Sequence, residues 1–185
     1  GGTVERTEEV FMGNGLVVHF SVHGSTARAA RTIASLTGAD IVGIRPVVPY
    51  DADPRHHGAL LARVRRERAA GLRPELVDDI DPAGHDPIFL GHPLRDGAPP
   101  MPVCGFLEQH DLSGRRIAPF NTHLGGGDGG TYAMIAWLAP GATILEGLPI
   151  QSDAAAAGAH QQIAAWLRGV LGVFRTVGEM IVRYG

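Results

Sequence analysis

Lysine is missing from this chain, and all 16 of its basic residues are arginine. This absence excludes Schiff-base chemistry on a lysine amine and a phosphate-binding P-loop, which needs a lysine. Cys104 is the single cysteine, so an intrachain disulfide and a paired-cysteine redox or zinc motif are excluded as well. Apolar runs stay shorter than the ~18 residues of a membrane span, and no signal-peptide pattern opens the chain. We therefore expect a cytoplasmic protein without membrane contact.

Charge and composition narrow the class further. The formal net charge is −3, which gives no reason to expect a nucleic-acid partner. The length of 185 residues and the apolar content of 44% predict one folded domain with a sizeable core. We expect a polar leader over residues 1–15, the domain over residues 16–169, and an apolar, helical segment over residues 170–185. That last segment would dock on its own chain or form a homodimer contact.

Short apolar runs alternate with segments of helical periodicity along the chain. The apolar runs predict buried strands over residues 16–20, 41–44, 88–91, 117–120 and 143–145. The helical spacing predicts helices over residues 26–36, 54–71, 102–110, 132–138 and 154–168. This alternation favours a parallel sheet covered by helices on both faces, with ligands bound beyond the carboxyl ends of the strands.

The turn after the first strand, residues 21–26, has the sequence SVHGST. A strand that turns sharply into a helix leaves backbone N–H groups without intrahelical partners, and these groups can bind an anion such as phosphate. Gly24 would let the backbone approach a ligand closely, and Ser21, Ser25 and Thr26 would add uncharged donors. The spacing fits neither a GxGxxG nor a Walker loop. An ordinary helix start, capped by Ser25 or Thr26, explains the same residues.

Two further loops begin at the predicted ends of the third and fourth strands, at residues 92–102 and 121–130. Because the strands are parallel, the three loops should face one crevice. The last loop carries five glycines between Gly125 and Gly130, which suits a close approach of the backbone to a flat or anionic ligand.

The three loops together resemble those of a bacterial flavodoxin-like group. Residues 21–26 resemble its SxTGNT-like loop, residues 92–102 its YPxWWGxxPxP-like loop, and residues 122–127 its THGGSG-like loop. Residues 66–76 and 144–148 resemble the same group, and the five matches occur in the same order. The resemblance covers roughly residues 16–168. It implies an α/β, flavodoxin-like three-layer sandwich with a five-stranded parallel sheet and helices on both faces.

This resemblance implies that the protein binds flavin mononucleotide (FMN) and works in electron transfer or in reduction of a small acceptor. Its partner would be a small-molecule substrate or a redox partner protein. The residues that would hold the phosphate are Ser21, His23, Gly24, Ser25 and Thr26. One side of the ring would be lined by Pro93, Leu94, Arg95, Asp96 and Gly97. The other side would be lined by Thr122, His123, Gly125 and Gly126.

The main departure from the group lies at Arg95 and Asp96, where the group carries aromatic residues. The third loop also has no aromatic residue between Thr122 and Thr131. An aromatic stacking pair contributes about 0.5–1.5 kcal/mol, so flavin binding should be weaker without it. Arg95 could stack its guanidinium on a ring instead. A carboxylate at Asp96 would disfavour a reduced, anionic flavin and lower its potential.

A second hypothesis uses the histidines at the same strand ends. Histidine suits proton transfer near neutral pH, and carboxylates could orient each imidazole. The candidate catalytic residues are His23, His92, Asp96 and His123. They would support a flavin-independent enzyme that dehydrates, cyclises or isomerises a small molecule. Loop histidines satisfied by backbone contacts remain the simpler interpretation, and the spacing predicts no metal site. A non-catalytic ligand-binding module is the third possibility.

Overall fold

A computed structural model describes residues 14–153 and 159–172 of the chain. The predicted leader, apart from residues 14 and 15, lies outside the described residues. So does the predicted C-terminal segment, apart from residues 170–172. The division into these segments therefore stays a prediction.

The described chain alternates strands and helices as the sequence predicts. The strands are β1 (Leu16–His19), β2 (Asp40–Gly43), β3 (Ile88–Pro93), β4 (Arg116–His123), β5 (Thr143–Ile144) and β6 (Leu148–Gln151). The helices are α1 (Ser25–Thr37), α2 (His57–Ala69), α3 (Met101–Gln109), α4 (Thr131–Leu138) and α5 (Ala159–Leu171). A short 3₁₀ turn, Pro54–His56, precedes α2, and Asp53 caps it by accepting a hydrogen bond from the N–H of Arg55.

The strands form one parallel sheet in the order β2-β1-β3-β4-β5, which confirms the predicted flavodoxin-like α/β fold. The chain reverses its direction across the sheet after β2, so β1 and β3 lie side by side at the switch point. In a sheet of this order, a ligand crevice is expected outside the carboxyl ends of these two central strands.

The fifth position of the sheet differs from the single strand that the sequence predicts. β5 pairs with the start of β4, the pairing stops, and β6 pairs with the end of β4. Two contacts are made by the residues between β5 and β6. The Glu146 carbonyl accepts a 2.8 Å hydrogen bond from Trp166 Nε1 of α5, and Gly147 lies against the ring of Tyr132. Both contacts come from distant residues, so the local sequence did not reveal β6.

Two apolar clusters cover the two faces of the sheet, because successive strand side chains point to opposite faces. On one face, Val17, Phe89 and Phe120 pack with α1 and α5. Val18, Leu90 and Ile117 pack with α3 and α4 on the other. The core thus fixes the central strands from both sides.

Among the described residues, no helix combines the length and the apolar character that a bilayer span requires.

Gly91 in β3 provides a test of this packing. An added Cβ there would lie 2.2 Å from Cζ of Phe120, a fully buried ring. We expect Gly91→Ala to lower the free energy of unfolding by about 1–3 kcal/mol, because the ring has no free space to move into. Urea unfolding measures the change.

Gly58→Ala is the matched control, since Gly58 is exposed in α2 with no atom within 4 Å of an added Cβ. That substitution should stabilise the helix by about 0.5–1 kcal/mol. Equal effects of the two substitutions would contradict the packing described here.

Candidate functional site

A cleft with a cavity volume of about 230 Å³, open to solvent on one side, lies at the carboxyl ends of β1, β3 and β4. The lining residues are Ser21, Val22, His23, Ser25, Thr26, Pro93, Leu94, Arg95, Thr122, His123, Leu124 and Ser152. The structure thus brings the three predicted loops to one crevice, as their order along the chain indicates.

The first loop delivers the amino end of α1 to the cleft. Gly24 adopts φ 98°, a left-handed conformation that favours glycine, and its N–H donates to Ser21 Oγ at 3.1 Å. Helix α1 begins at Ser25 without a side-chain cap, so the simple capping role expected for Ser25 or Thr26 is wrong. The first turn of α1 therefore presents backbone donors that suit an anion.

Thr26 has a structural role within this loop. Its hydroxyl shares a 2.8 Å hydrogen bond with the hydroxyl of Thr122, and both side chains are buried. This contact joins the start of α1 to the end of β4. It fixes the spacing between the first and third loops across the cleft.

The second loop turns sharply after Arg95. Asp96 and Gly97 have φ values of 54° and 71°, and the N–H of Ala98 lies 3.4 Å from the Arg95 carbonyl. Positive φ at both central positions is the signature of a type I′ turn, for which Asp-Gly is a favoured pair. Because of this turn, consecutive side chains leave the loop in different directions.

Arg95 and Asp96 consequently face different surroundings. Arg95 lines the cleft, while the Asp96 carboxylate lies 3.4 Å from Arg68 NH1 and 3.9 Å from Arg65 Nε of α2. Arg68 also donates to the Asp96 carbonyl. Asp96 and Gly97 are therefore absent from the cleft lining, although the sequence placed them beside the ring.

Arg95 contacts the first loop through His23. An Arg95 terminal nitrogen lies 2.7 Å from His23 Nδ1, and since a guanidinium is donor-only, the imidazole accepts there. His23 is then neutral with its proton on Nε2. Burial, Arg95 and His57 all lower the pKa of His23, in agreement with this state. Arg95 Nε is buried without a hydrogen-bond partner in the described part of the chain.

The third loop is held by residues that the sequence analysis missed. Asn121 is fully buried, donates to the Gly127 carbonyl at 2.8 Å, and accepts a hydrogen bond from the Tyr132 hydroxyl. Burial raises the pKa of Tyr132, so its hydroxyl keeps the proton that it donates. The polar Asn121 directly after the apolar run over residues 117–120 was the available signal for this anchor, and the structure extends β4 through it.

His123 has its ring fixed by its own loop. The N–H of Gly125 donates to His123 Nδ1 at 2.9 Å, which leaves Nε2 free to carry the proton. The glycines of this loop allow the Leu94 side chain to pack closely against the backbone. An added Cβ at Gly126 or Gly129 would lie 2.8 or 2.7 Å from that side chain. Gly125 and Gly126 thus shape the loop without appearing in the cleft lining.

His92 lies apart from the other candidate catalytic residues. Its side chain is fully buried, its Nδ1 lies 3.1 Å from the Pro93 carbonyl, and its Nε2 has no partner among the described residues. Burial lowers the pKa of His92 to about 4, against weaker opposing effects of the Pro93 hydrogen bond and Asp128.

Of the four candidate catalytic residues, only His23 and His123 line the cleft. No group of three metal-ligating side chains occurs within residues 14–153 and 159–172.

Comparisons with known proteins give a consistent relationship. A flavodoxin family model matches residues 14–169. This chain belongs to the flavodoxin family. A protein from Bacteroides eggerthii assigned as a flavoprotein is 27% identical, with a TM-score of 0.74 over 85% of this chain and 98% of that one. A second such protein, from Bacteroides uniformis, is 24% identical, with a TM-score of 0.74 over 84% and 98% of the two chains.

A flavoprotein from Lactobacillus acidophilus, crystallised in complex with FMN, is also similar in fold. It is 23% identical, with a TM-score of 0.61 over 76% of this chain and 94% of that one. A search of curated proteins finds no relative of this chain.

In this flavodoxin-family protein, leucines supply the apolar surfaces of the cleft. Leu94 and Leu124 both line the cleft, and Leu124 remains 91% exposed. A large apolar side chain left so exposed at a cleft suits contact with an apolar ligand. Leu124 was not among the predicted site residues, although an apolar residue beside a run of glycines was visible in the sequence.

The buried His92 predicts a pH dependence of stability. Its folded-state pKa of about 4 lies below the ordinary 6.5, so between these values the unfolded chain binds a proton that the folded chain does not. The contribution of neutral His92 to the free energy of unfolding is fully present above pH 6.5 and is lost as the pH falls toward 4. The loss amounts to about 3 kcal/mol. Urea unfolding across this pH range measures it.

A His92→Gln variant should lack this part of the pH dependence, because glutamine does not titrate. A His160→Gln variant, which changes an exposed histidine of α5, should keep it. His19, whose pKa is also lowered by burial and by Arg31, contributes equally to all three proteins. Identical pH profiles for wild type and His92→Gln would contradict the prediction.

Proposed function

We propose that this protein binds FMN in the cleft and acts in redox chemistry, as an electron carrier or as a reductase of a small acceptor. One observation carries the proposal. The uncapped amino end of α1 and two apolar side chains, Leu94 and Leu124, lie in the same cleft. FMN combines a phosphate with a flat, largely apolar ring, so it needs both kinds of surface within one site.

The residues present fit this cofactor. Ser21 and Ser25, which line the cleft, would hold the phosphate with the first turn of α1, since they offer donors and add no negative charge. Gly24 does not line the cleft; it supplies the left-handed turn that leads into α1. The ring would lie against Leu94 and Leu124. Arg95, which lines the cleft and contacts His23 through a terminal nitrogen, would offer its guanidinium to a polar edge of the ligand.

Bound FMN would supply the electron chemistry, and the protein would bind, orient and tune it. Leu94 and Leu124 would restrict water at the ring faces. His123, with its Nδ1 occupied by Gly125, would offer an Nε2 proton toward the cleft. A redox partner protein or a small acceptor would approach the solvent-open side, in a cytoplasmic setting.

The acid–base hypothesis has weaker support from the same geometry. It needs His92 and Asp96 in the crevice, yet His92 is buried away from the lining and Asp96 pairs with Arg65 and Arg68. His23 and His123 alone have no carboxylate beside them in the lining. We therefore retain the FMN proposal as the better supported one.

A visible absorption spectrum and an FMN titration test the proposal. After addition of FMN and gel filtration, bands near ~375 and ~450 nm should co-elute with the protein, as expected of a bound flavin. Riboflavin should bind more weakly than FMN, because it lacks the phosphate. A protein that stays colourless at saturating FMN would overturn the proposal.

Two glycine variants at opposite ends of α1 make the test specific. Gly24 and Gly38 both have left-handed φ values, of 98° and 70°, so alanine strains either position by about 1–2 kcal/mol. Only Gly24 lies in the proposed phosphate loop. Gly24→Ala should weaken FMN binding roughly five- to thirtyfold, if the relaxed loop must return to its binding geometry.

Gly38→Ala should lower stability to a similar degree and leave the FMN affinity unchanged within about twofold. An equal loss of affinity in both variants would attribute the effect to stability rather than to the loop. No loss in either variant would place the phosphate elsewhere.

A further inference from the structure

The cleft has an unusual charge balance for its size. Of the described residues that line it, Arg95 alone carries a permanent charge, and no carboxylate is among them. Asp96, the acidic neighbour of Arg95 along the chain, is directed toward Arg65 and Arg68 by the type I′ turn. The described lining therefore carries one positive side chain and no negative one, whereas the sequence alone suggested a negative contribution from Asp96.

The Arg95 guanidinium is held in place on one side and unsatisfied on the other. One terminal nitrogen is fixed 2.7 Å from His23 Nδ1, while the buried Nε has no partner in the described structure. Val22 and Leu94 line the cleft beside it, and the second cavity that it lines also includes Ala98, Glu67 and Arg68. Because Arg95 is half-buried, water screens its charge less than it screens an exposed arginine, so an anion in the cleft would interact with it more strongly.

We propose that Arg95 stabilises the negative charge that the FMN ring gains on reduction, so that the protein favours the reduced cofactor. This inference rests on the proposed function. Reduction adds two electrons and one proton to the ring, which leaves one negative charge near neutral pH. The proton comes from solvent and the electrons come from the reductant. Arg95 would act on the charge and exchange no proton itself, because guanidinium stays protonated.

The phosphate offers Arg95 a different role that makes a different prediction. The phosphate carries the same charge in oxidised and reduced FMN. An Arg95 that contacts the phosphate would therefore raise the affinity for both forms equally. An Arg95 that acts on the ring raises the affinity for the reduced form more. The ratio of the Kd of oxidised FMN to the Kd of reduced FMN separates these roles. The same ratio fixes how far the midpoint potential shifts when FMN binds.

The experiment measures the Kd of oxidised FMN and the midpoint potential of bound FMN, with dithionite as reductant. Wild type is compared with Arg95→Gln and Arg95→Lys. We expect Arg95→Gln to lower the preference for reduced FMN about tenfold, which is a fall of about 30 mV for a two-electron couple. Arg95→Lys should recover much of this preference, because it keeps the charge. Thermal unfolding verifies that each variant is folded.

Two controls separate Arg95 from general charge effects. Arg66→Gln removes the same charge from an exposed position on α2, and Asp96→Asn removes the carboxylate that points away from the cleft. Both variants should keep the preference within about twofold of wild type. The inference would be overturned if Arg66→Gln lowered the preference for reduced FMN as much as Arg95→Gln does. It would also be overturned if Asp96→Asn raised that preference by as much as Arg95→Gln lowers it.

The remaining outcomes are also decisive. An equal loss of affinity for oxidised and reduced FMN in Arg95→Gln would assign Arg95 to the phosphate and overturn the inference. If Arg95→Gln changed neither the affinity for FMN nor the ratio of the two dissociation constants, the inference would also be overturned. The proposed function would then still stand. Absence of FMN binding in wild type would instead refute the proposed function, which is a separate result.

Discussion

The parallel pairing of β1, β3 and β4 is the constraint on which the rest of the structure depends. Val17 lies opposite Phe89, and Phe89 lies opposite Ala118, so the three strands share one register. Their carboxyl ends therefore meet at one edge, and every loop that forms the cleft starts from that edge. A one-residue slip of a strand would exchange its buried and exposed faces, so the two apolar cores also protect the geometry of the cleft.

Polar contacts then set the distances between the loops on this rigid edge. The Thr26–Thr122 hydrogen bond spaces the first and third loops, and Arg95 links the second loop to the first through His23. Asn121 anchors the glycine-rich loop from below. Within the described part of the chain, His19 Nδ1, His92 Nε2 and Arg95 Nε are buried without a hydrogen-bond partner at or near this edge. Such atoms are expected where a site is shaped for a ligand rather than for maximal stability.

Charge in the cleft follows from turn geometry more than from composition. Arg95 and Asp96 are neighbours in sequence and would nearly cancel if both faced the ligand. The type I′ turn separates them, and the arginines of α2 neutralise the carboxylate outside the cleft. One backbone conformation thereby keeps the Asp96 carboxylate out of the cleft lining, and α2 contributes to the site without lining it.

The sequence by itself determined the fold, because strand and helix periodicity, loop order and glycine positions can be recognised from residues that are close together along the chain. It also located the three loops of the cleft, since parallel strands must end at a common edge. Only the tertiary structure decided where His92, Asp96 and Leu124 point. Those directions depend on positive-φ turns and on partners far along the chain, such as Arg68 for Asp96. The interruption of the fifth strand also lies against distant residues, since Trp166 and Tyr132 contact it from separate helices.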